Sequence, residues 1–530
     1  MIARYQRTFV RWVRPSLPLQ QPHRVLTLCG SDKIDRHTTT ISTLPGDVLL
    51  DIFDFCRKDE NYTVNLSIHC LWDWKSSWNS WEWHLLAHVC RRWRELVFAS
   101  ARRLNLRIPC TRLNIVGKNL GIWPALPIDV NDVDDQDFLY NITHEDNILA
   151  ALKHVDRVYH VRLSLSDSLL EKMSTAMQEP FPVLTRFFIS SDCRLMHDVP
   201  ALPANFLGGS APRLQAIGLC GIPYPALPTL LLSTSGLIKL DLQKIPWDGY
   251  ISSEAMVASL AALPKLEIFV MQYSCYTYHP DPLGPPITRT VLPALAYFVF
   301  HGAREYLEDL VGRIDGPNLN HISISTPYLP GFQVAQLSRF IDQSVGPKLA
   351  QCRHAEVSFD HRTPYGTVTF NLCHHPDHAG QDRTTVISYE VIHWEFTEMP
   401  CQIPVTLSNV VHLQIKCSPK ESPSIDIPVP VGLSIELFQL IRQFSAMQTL
   451  LIDSRLSAFV ASLLVHFTEA MMTEALPSLE LLCLEEEEYC QHSVQLDKFV
   501  AARRRSNHPV TIVNTKEFKE ILDSYLSKNE

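Results

Sequence analysis

Pro212-Arg213-Leu214-Gln215-Ala216-Ile217-Gly218-Leu219 and Pro264-Lys265-Leu266-Glu267-Ile268-Phe269-Val270-Met271 follow one pattern. A proline leads. An apolar residue, two variable positions, an apolar residue, one variable position and a final apolar residue follow. The closing alternation is the signature of a strand with one buried face. Proline cannot donate to a sheet ladder, so it belongs just before the strand, not within it. Pro182, Pro293, Pro317 and Pro477 introduce the unit in the same way.

The unit recurs along the chain as Val158/Val161/Leu163, Leu184/Phe187/Ile189, Leu214/Ile217/Leu219, Leu237/Leu240/Leu242 and Leu266/Phe269/Met271. It returns as Leu295/Phe298/Phe300, Leu319/Ile322/Ile324, Val410/Leu413/Ile415, Met447/Leu450/Ile452 and Leu479/Leu482/Leu484. Most spacings are roughly 23 to 37 residues, in and just above the range of leucine-rich repeats. Helical patterns lie between the units, as at Asp146 to His154, Ser253 to Leu263, Glu305 to Ile314, Val334 to Ile341, Ile435 to Phe444 and Leu456 to Ala475. Strand then helix, repeated with short turns, builds a parallel sheet with helices on its outer face. One unit cannot bury its apolar face alone, so neighbours stack into a solenoid. The other α/β arrangement, a closed or doubly wound sheet, remains open on spacing alone, although no glycine-rich phosphate loop follows any strand. The repeat breaks between about 355 and 404. Tyr365 to Leu372 and Thr384 to Phe396 read there as strands of an antiparallel excursion.

Upstream the texture differs. Thr43 or Ser42 can cap a helix entered through Pro45 and Gly46. Val48, Leu49, Ile52 and Phe53 then fall on one helical face. Residues 57–80, with Trp72, Trp74 and Trp78 among polar residues, read as an inserted loop, and Trp72 to Trp83 as apolar cover for this module. A second helix is expected from Glu82 to Ala99, with Leu85, Leu86, Val89, Trp93, Leu96 and Val97 as its stripe. Leu104, Leu106 and Ile108 alternate as a strand that Pro109 should stop. The expected organisation is a basic, disordered tail at 1–40, a helical module at 41–108 with the 57–80 insertion, a linker and lead-in at 109–153, and the repeat region at 154–530, interrupted at about 355–404. A mitochondrial presequence shares the composition of the first segment, where Arg4, Arg7, Arg11 and Arg14 lie close to one helical face.

Composition narrows the function classes. At 46% hydrophobic and 19% charged residues the chain is globular. A net charge of −9 argues against a general nucleic-acid binder. The 14 cysteines show no paired spacing, and Cys220, Cys352 and Cys483 sit in apolar stretches as small hydrophobes. With no secretory signal and no apolar run of about 18 residues, the expectation is reduced thiols in cytoplasm or nucleus and no membrane contact.

Leu44-Pro45, the Leu49/Ile52/Phe53 stripe and Val89-Cys90-Arg91-Arg92-Trp93 together resemble the F-box. With Leu104-Asn105-Leu106-Arg107, Ile122-Trp123-Pro124-Ala125-Leu126-Pro127-Ile128 and Tyr306-Leu307-Glu308-Asp309-Leu310, the chain looks like the F-box proteins with degenerate leucine-rich repeats expanded in mushroom-forming fungi. The resemblance implies an α/β fold in which a short helical F-box module precedes an irregular leucine-rich-repeat-like solenoid. It implies docking on the Skp-type adaptor of a Skp–cullin–F-box ubiquitin ligase, and through that adaptor on a cullin. Leu44 and Pro45 would enter the adaptor's groove. Val48, Leu49, Ile52, Phe53, Leu85, Val89 and Trp93 would share adaptor contact with packing inside the module. The repeats would bind a protein target, with Gln215, Lys239, Glu267 and His412 among the variable positions. The 57–80 insertion departs from the family, whose two helices are joined by a much shorter stretch.

No catalytic residue, cofactor or metal is expected. Cys373-His374-His375-Pro376-Asp377-His378 is the best metal candidate, but adjacent histidines rarely aim at one ion and no second cluster matches, so it reads as a surface loop. Arg503, Arg504 and Arg505 read as a solvated helix end. No Walker loop or Gly-x-Ser-x-Gly elbow occurs. A scaffold acting outside a ubiquitin ligase, or a metal-dependent enzyme around His374 to His378, are the alternative readings.

Overall fold

The computed structural model describes residues 44–56, 82–101, 104, 106–110, 120, 125–131, 145–191, 199–274, 289–327, 335–360, 366–373, 385–394, 408–417, 441–453, 476–484 and 486–514. The 1–40 tail, the 57–80 insertion, the Ser42/Thr43 cap, the helical pattern of 456–475 and His374 to His378 lie outside them. The chain divides into two compact units, Met1–Cys56 and Arg57–Glu530. The boundary falls inside the span read from sequence as one helical module. The first unit contributes helix α1, Gly46–Cys56.

The second unit begins with α2 (Glu82–Val89) and α3 (Arg91–Ala99), then alternates strands and helices: β1 Ile108–Cys110, β2 Ile128–Asn131, α4 Glu145–Leu152, β3 Val158–Leu165, α5 Asp167–Ala176, β4 Arg186–Ser191, β5 Ala216–Cys220, α6 Leu227–Leu231, β6 Lys239–Ile245, α7 Ser253–Leu260 and β7 Ile268–Tyr273. It continues with β8 Thr290–Val291, β9 Tyr297–His301, α8 Arg304–Gly312, β10 Ile314–Asp315, β11 His321–Pro327, α9 Ala335–Leu349, β12 His354–Asp360, β13 Gly366–Cys373 and β14 Thr385–Trp394. The last elements are β15 His412–Cys417, β16 Thr449–Ile452, β17 Leu481–Leu484, α10 Glu486–Arg505 and β18 Thr511–Asn514. The architecture is mixed α/β, with one large, mostly parallel sheet and ten helices among the described residues. Sixteen strands run in the order β1-β2-β3-β4-β5-β6-β7-β9-β11-β14-β13-β12-β15-β16-β17-β18, while β8 and β10 pair separately.

Every apolar position of the repeated unit lies in or just before a strand of this sheet, and each is 3% exposed or less. They form one core with Ile148 of α4, Met173 of α5, Leu230 of α6, Met256 of α7, Leu310 of α8, Phe340 of α9 and Phe499 of α10. These helices therefore cover a single sheet face, which leaves the alternate strand positions on the other face.

The leading prolines act more specifically than strand exclusion requires. Leu184 N–H donates to Phe181 O at 3.2 Å, Leu214 to Ala211 at 3.0 Å, Leu266 to Leu263 at 3.2 Å, Leu295 to Leu292 at 3.3 Å, Leu319 to Gly316 at 3.2 Å and Leu479 to Leu476 at 3.3 Å. Each is a β-turn with proline at the second position, where its fixed φ is already suitable. Leu237 N–H to Thr234 O (2.9 Å) and Met447 N–H to Phe444 O (3.1 Å) close the same turn with Ser235 and Ser445 in the proline place. Just downstream one carbonyl receives two N–H groups of the next strand. Gln215 O accepts from Ile238 (2.7 Å) and Lys239 (3.0 Å), and Glu267 O from Ala296 (2.9 Å) and Tyr297 (3.0 Å). Basic side chains bond turn carbonyls of a neighbouring unit, as Arg503 Nη2 does to Leu479 O at 2.9 Å.

The break in the repeat is an inserted hairpin. β12 leaves α9 but does not join β11. β13 runs antiparallel to β12, and β14 antiparallel to β13, so that β14 comes to lie parallel to β11. β12 then carries β15 on its far side, again in parallel.

Two local expectations are corrected. Pro109 sits inside β1 instead of stopping a strand before it, and Leu104 and Leu106 belong to turns closed on Ser100 O (3.0 Å) and Ala101 O (2.9 Å). β1 is an edge strand: Ile108 N–H bonds Pro127 O at 2.8 Å, and the next nitrogen, that of Pro109, faces away from β2. The missing donor costs no ladder bond. The segment read as one helix from Glu82 to Ala99 is two helices. Cys90 is extended (φ −157°, ψ 170°) and its Sγ accepts from Trp93 N–H at 3.5 Å, capping α3. The 109–153 segment supplies β2 and α4 in addition to connecting chain.

Candidate partner-docking surfaces

In α1 the apolar residues divide between two faces. Leu49, Leu50 and Phe53 are covered, at 0, 7 and 2% exposure. Pro45, Val48 and Ile52 recur at helical spacing on another face, where Pro45 is exposed, Val48 is 38% exposed and Ile52 is half-buried. Leu44 is half-buried. Of the residues expected to share partner contact with internal packing, Leu49 and Phe53 lie on the covered face of α1 and Val48 on the outward one. Leu49 N–H bonds Pro45 O at 3.1 Å, so the proline opens the helix where its missing donor is harmless.

In the second unit, Ala87 and Val97 are fully buried, while Leu86, Trp93, Leu96 and Phe98 are half-buried. Val89 is 46% exposed at the end of α2. Leu85 lies in α2, but its side chain is outside the described set. Arg91, Arg92 and Arg94 are exposed; Arg91 pairs with Glu95 at 2.8 Å, and Arg94 Nε donates to Ala87 O at 2.9 Å.

The sheet face opposite the helices carries polar networks that spacing alone did not reveal. At its first strands, Arg107 Nη1 lies 3.1 Å from His160 Nδ1 and stacks over the Tyr159 ring at 4.5 Å. Asp129 approaches both Arg107 and His160 at 3.9 Å. Burial, then Arg107 and Arg186, hold His160 well below its ordinary pKa. It is therefore a neutral acceptor for Arg107, and its contact with Asp129 is not an ion pair at neutral pH. Burial, with help from Asp129, pushes the Cys110 thiol up to about 12, and burial pushes Cys220 up to about 11, so neither is a nucleophile near neutrality.

Further along, Lys239 is buried, not a solvent-facing variable position. Its Nζ pairs with Asp241 at 3.1 Å and lies 5.6 Å above the Phe188 ring, and Gln243 Nε2 donates to Asp241 at 2.9 Å. The Phe188 ring lies across Gly218, where a Cβ would come within 2.2 Å of it. Gln215 and Glu267 are exposed at the strand starts, and His412 is half-buried against His354. Beyond the inserted hairpin, Lys416 pairs with Glu356 at 2.9 Å. No group of three or more metal-ligating side chains occurs among the described residues, and no described helix is long and apolar enough to cross a membrane.

No protein-family model matches the chain, and no curated protein matches it.

Proposed function

We propose that this chain is a substrate receptor of a Skp–cullin–F-box ubiquitin ligase, with an F-box near its start and a leucine-rich-repeat-like solenoid as the target-binding arm. The observation that carries the reading is the second apolar face of α1, where Pro45 and Val48 remain outward while Leu49, Leu50 and Phe53 are covered. Helix-in-groove recognition uses such anchors, and a short helix with two apolar faces has one face to offer a partner. Val89 is the corresponding outward residue of α2. The repeated strands offer an extended polar face of the kind that binds protein ligands. In this role the chain performs no bond chemistry. It holds a target lysine near a charged conjugating enzyme, and the rate gain comes from proximity.

The test replaces Leu44 and Pro45 together by Ala and asks whether the chain still captures a Skp-type adaptor and a cullin. Loss of both supports the receptor reading. Full capture by the variant removes the F-box assignment, and adaptor capture without a cullin places the chain in some other adaptor assembly.

A further inference from the structure

We infer that Arg94 is a positioning residue for adaptor docking, holding the last turn of α2 so that Val89 stands outward. The inference deepens the receptor reading and rests on it. The chain turns between α2 and α3 at Cys90, the residue that separates Glu82–Val89 from Arg91–Ala99. Cys90 is extended there (φ −157°, ψ 170°), and Val89, 46% exposed, comes just before it. Arg94 reaches back across the turn. Its N–H donates to Cys90 O at 3.1 Å and its Nε to Ala87 O at 2.9 Å.

The side-chain bond is the one the corner needs. The last four carbonyls of a helix have no partner within it. Ala87 lies in that last turn of α2 and is 0% exposed, so its oxygen is shut off from water. A buried carbonyl must be satisfied from within the protein. Arg94 supplies the donor and sets a positive charge at the negative end of the helix. The cap on the other side of the turn is weaker. Cys90 Sγ accepts from Trp93 N–H at 3.5 Å, and sulfur is a poor acceptor. At eight residues α2 is too short to hold its last turn by helix formation alone. Without the Arg94 donor, Ala87 O finds a partner only when the turn opens to water, and that opening carries Val89 with it. An anchor already in place binds without the cost of ordering it.

Arg94 is exposed as a residue, so direct contact between its charge and the partner is the competing account. The two accounts tolerate different substitutions. Glutamine carries an amide nitrogen as many bonds from Cα as arginine Nε, so Arg94→Gln keeps the donor and drops the charge. Arg94→Met keeps the length and drops both.

The experiment measures the equilibrium affinity of the full chain for a purified Skp-type adaptor. Arg94→Met should weaken binding about tenfold or more, and Arg94→Gln should stay within about threefold of wild type. In a Val89→Ala background Arg94→Met should cost much less than it does alone, because the two residues act as one. Hydrogen exchange of the α2 amides should rise in the methionine variant, with the urea midpoint of the sheet unchanged. Methionine binding like wild type, glutamine falling with methionine, or additive effects of Arg94→Met and Val89→Ala each overturn the inference and leave the receptor reading standing. Failure of the wild type to bind the adaptor overturns both. If Arg94→Met does not fold, Arg94→Gln decides alone: affinity kept supports the positioning role, and affinity lost refutes it.

Discussion

His160 shows how a side chain's position outweighs its type. On an alternating strand it reads as one more polar residue, yet it is 5% exposed and accepts from a buried guanidinium. Its folded pKa is lowered by burial first and by Arg107 and Arg186 second. The unfolded chain protonates it near the ordinary 6.5, so its contribution to stability is complete above that pH and is lost as pH falls. His160→Gln keeps an acceptor for Arg107 but cannot titrate. Urea midpoints measured at about pH 7.5 and about pH 5.5 should show the variant losing roughly 1.4 kcal/mol less than wild type over that interval. An unchanged acid slope would show that His160 protonates freely in the fold.

At the scale of elements, helices and turns of successive units complete one another. Glu308 of α8 accepts from Gln336 and Leu337 N–H at 2.9 and 3.0 Å, capping the first turn of α9. Burial raises its pKa despite these two bonds, so ionised Glu308 is a net cost to the fold above its unfolded pKa. Glu308→Ala removes the cap and should cost about 1–2 kcal/mol. Glu308→Gln keeps an acceptor without the buried charge, and its denaturation midpoint at neutral pH should equal or exceed that of wild type; a loss as large as that of the alanine variant would show that the charge itself does the capping. The repeat turn gives a second expectation. Ser235 is exposed and occupies the place that proline holds in six equivalent turns, and the preceding Thr234 N–H bonds Leu231 O as Leu263 bonds Leu260. Ser235→Pro should therefore stabilise by about 0.4–1 kcal/mol through the unfolded chain, read as a raised thermal midpoint.

The whole molecule divides after Cys56, and the sheet with its core belongs to the second unit. A chain beginning at Arg57 should keep a cooperative unfolding transition by circular dichroism; on the receptor reading proposed above it should also keep its target prey in affinity purification while losing the adaptor and cullin. Retention of the adaptor by the shortened chain would mean that docking does not need the Pro45/Val48 face of the first unit. Loss of the cooperative transition would mean that the sheet needs Met1–Cys56 to fold.

Local periodicity was enough to find the strands of the repeat, because burial of one sheet face imposes it at each copy regardless of distant sequence. The Leu237/Leu240/Leu242 triplet is legible without knowing its neighbours. The leading prolines were legible as punctuation, though their turn hydrogen bonds were not. Sequence also located the helix that Pro45 leads into and that carries Val48. What pattern could not supply is everything set by non-local pairing. Pro109 is tolerated because, among the described residues, β1 has a strand neighbour on one side only, and β13–β14 slots between β11 and β12 because strand partners are chosen in space. Lys239 is buried beside Asp241 of its own strand because Phe188 arrives from β4, a position that carries no mark of meeting it. The division of α1 into covered Leu49 and Phe53 and outward Val48 is likewise a matter of what packs where, since a helical stripe states which residues share a face but not which face is covered.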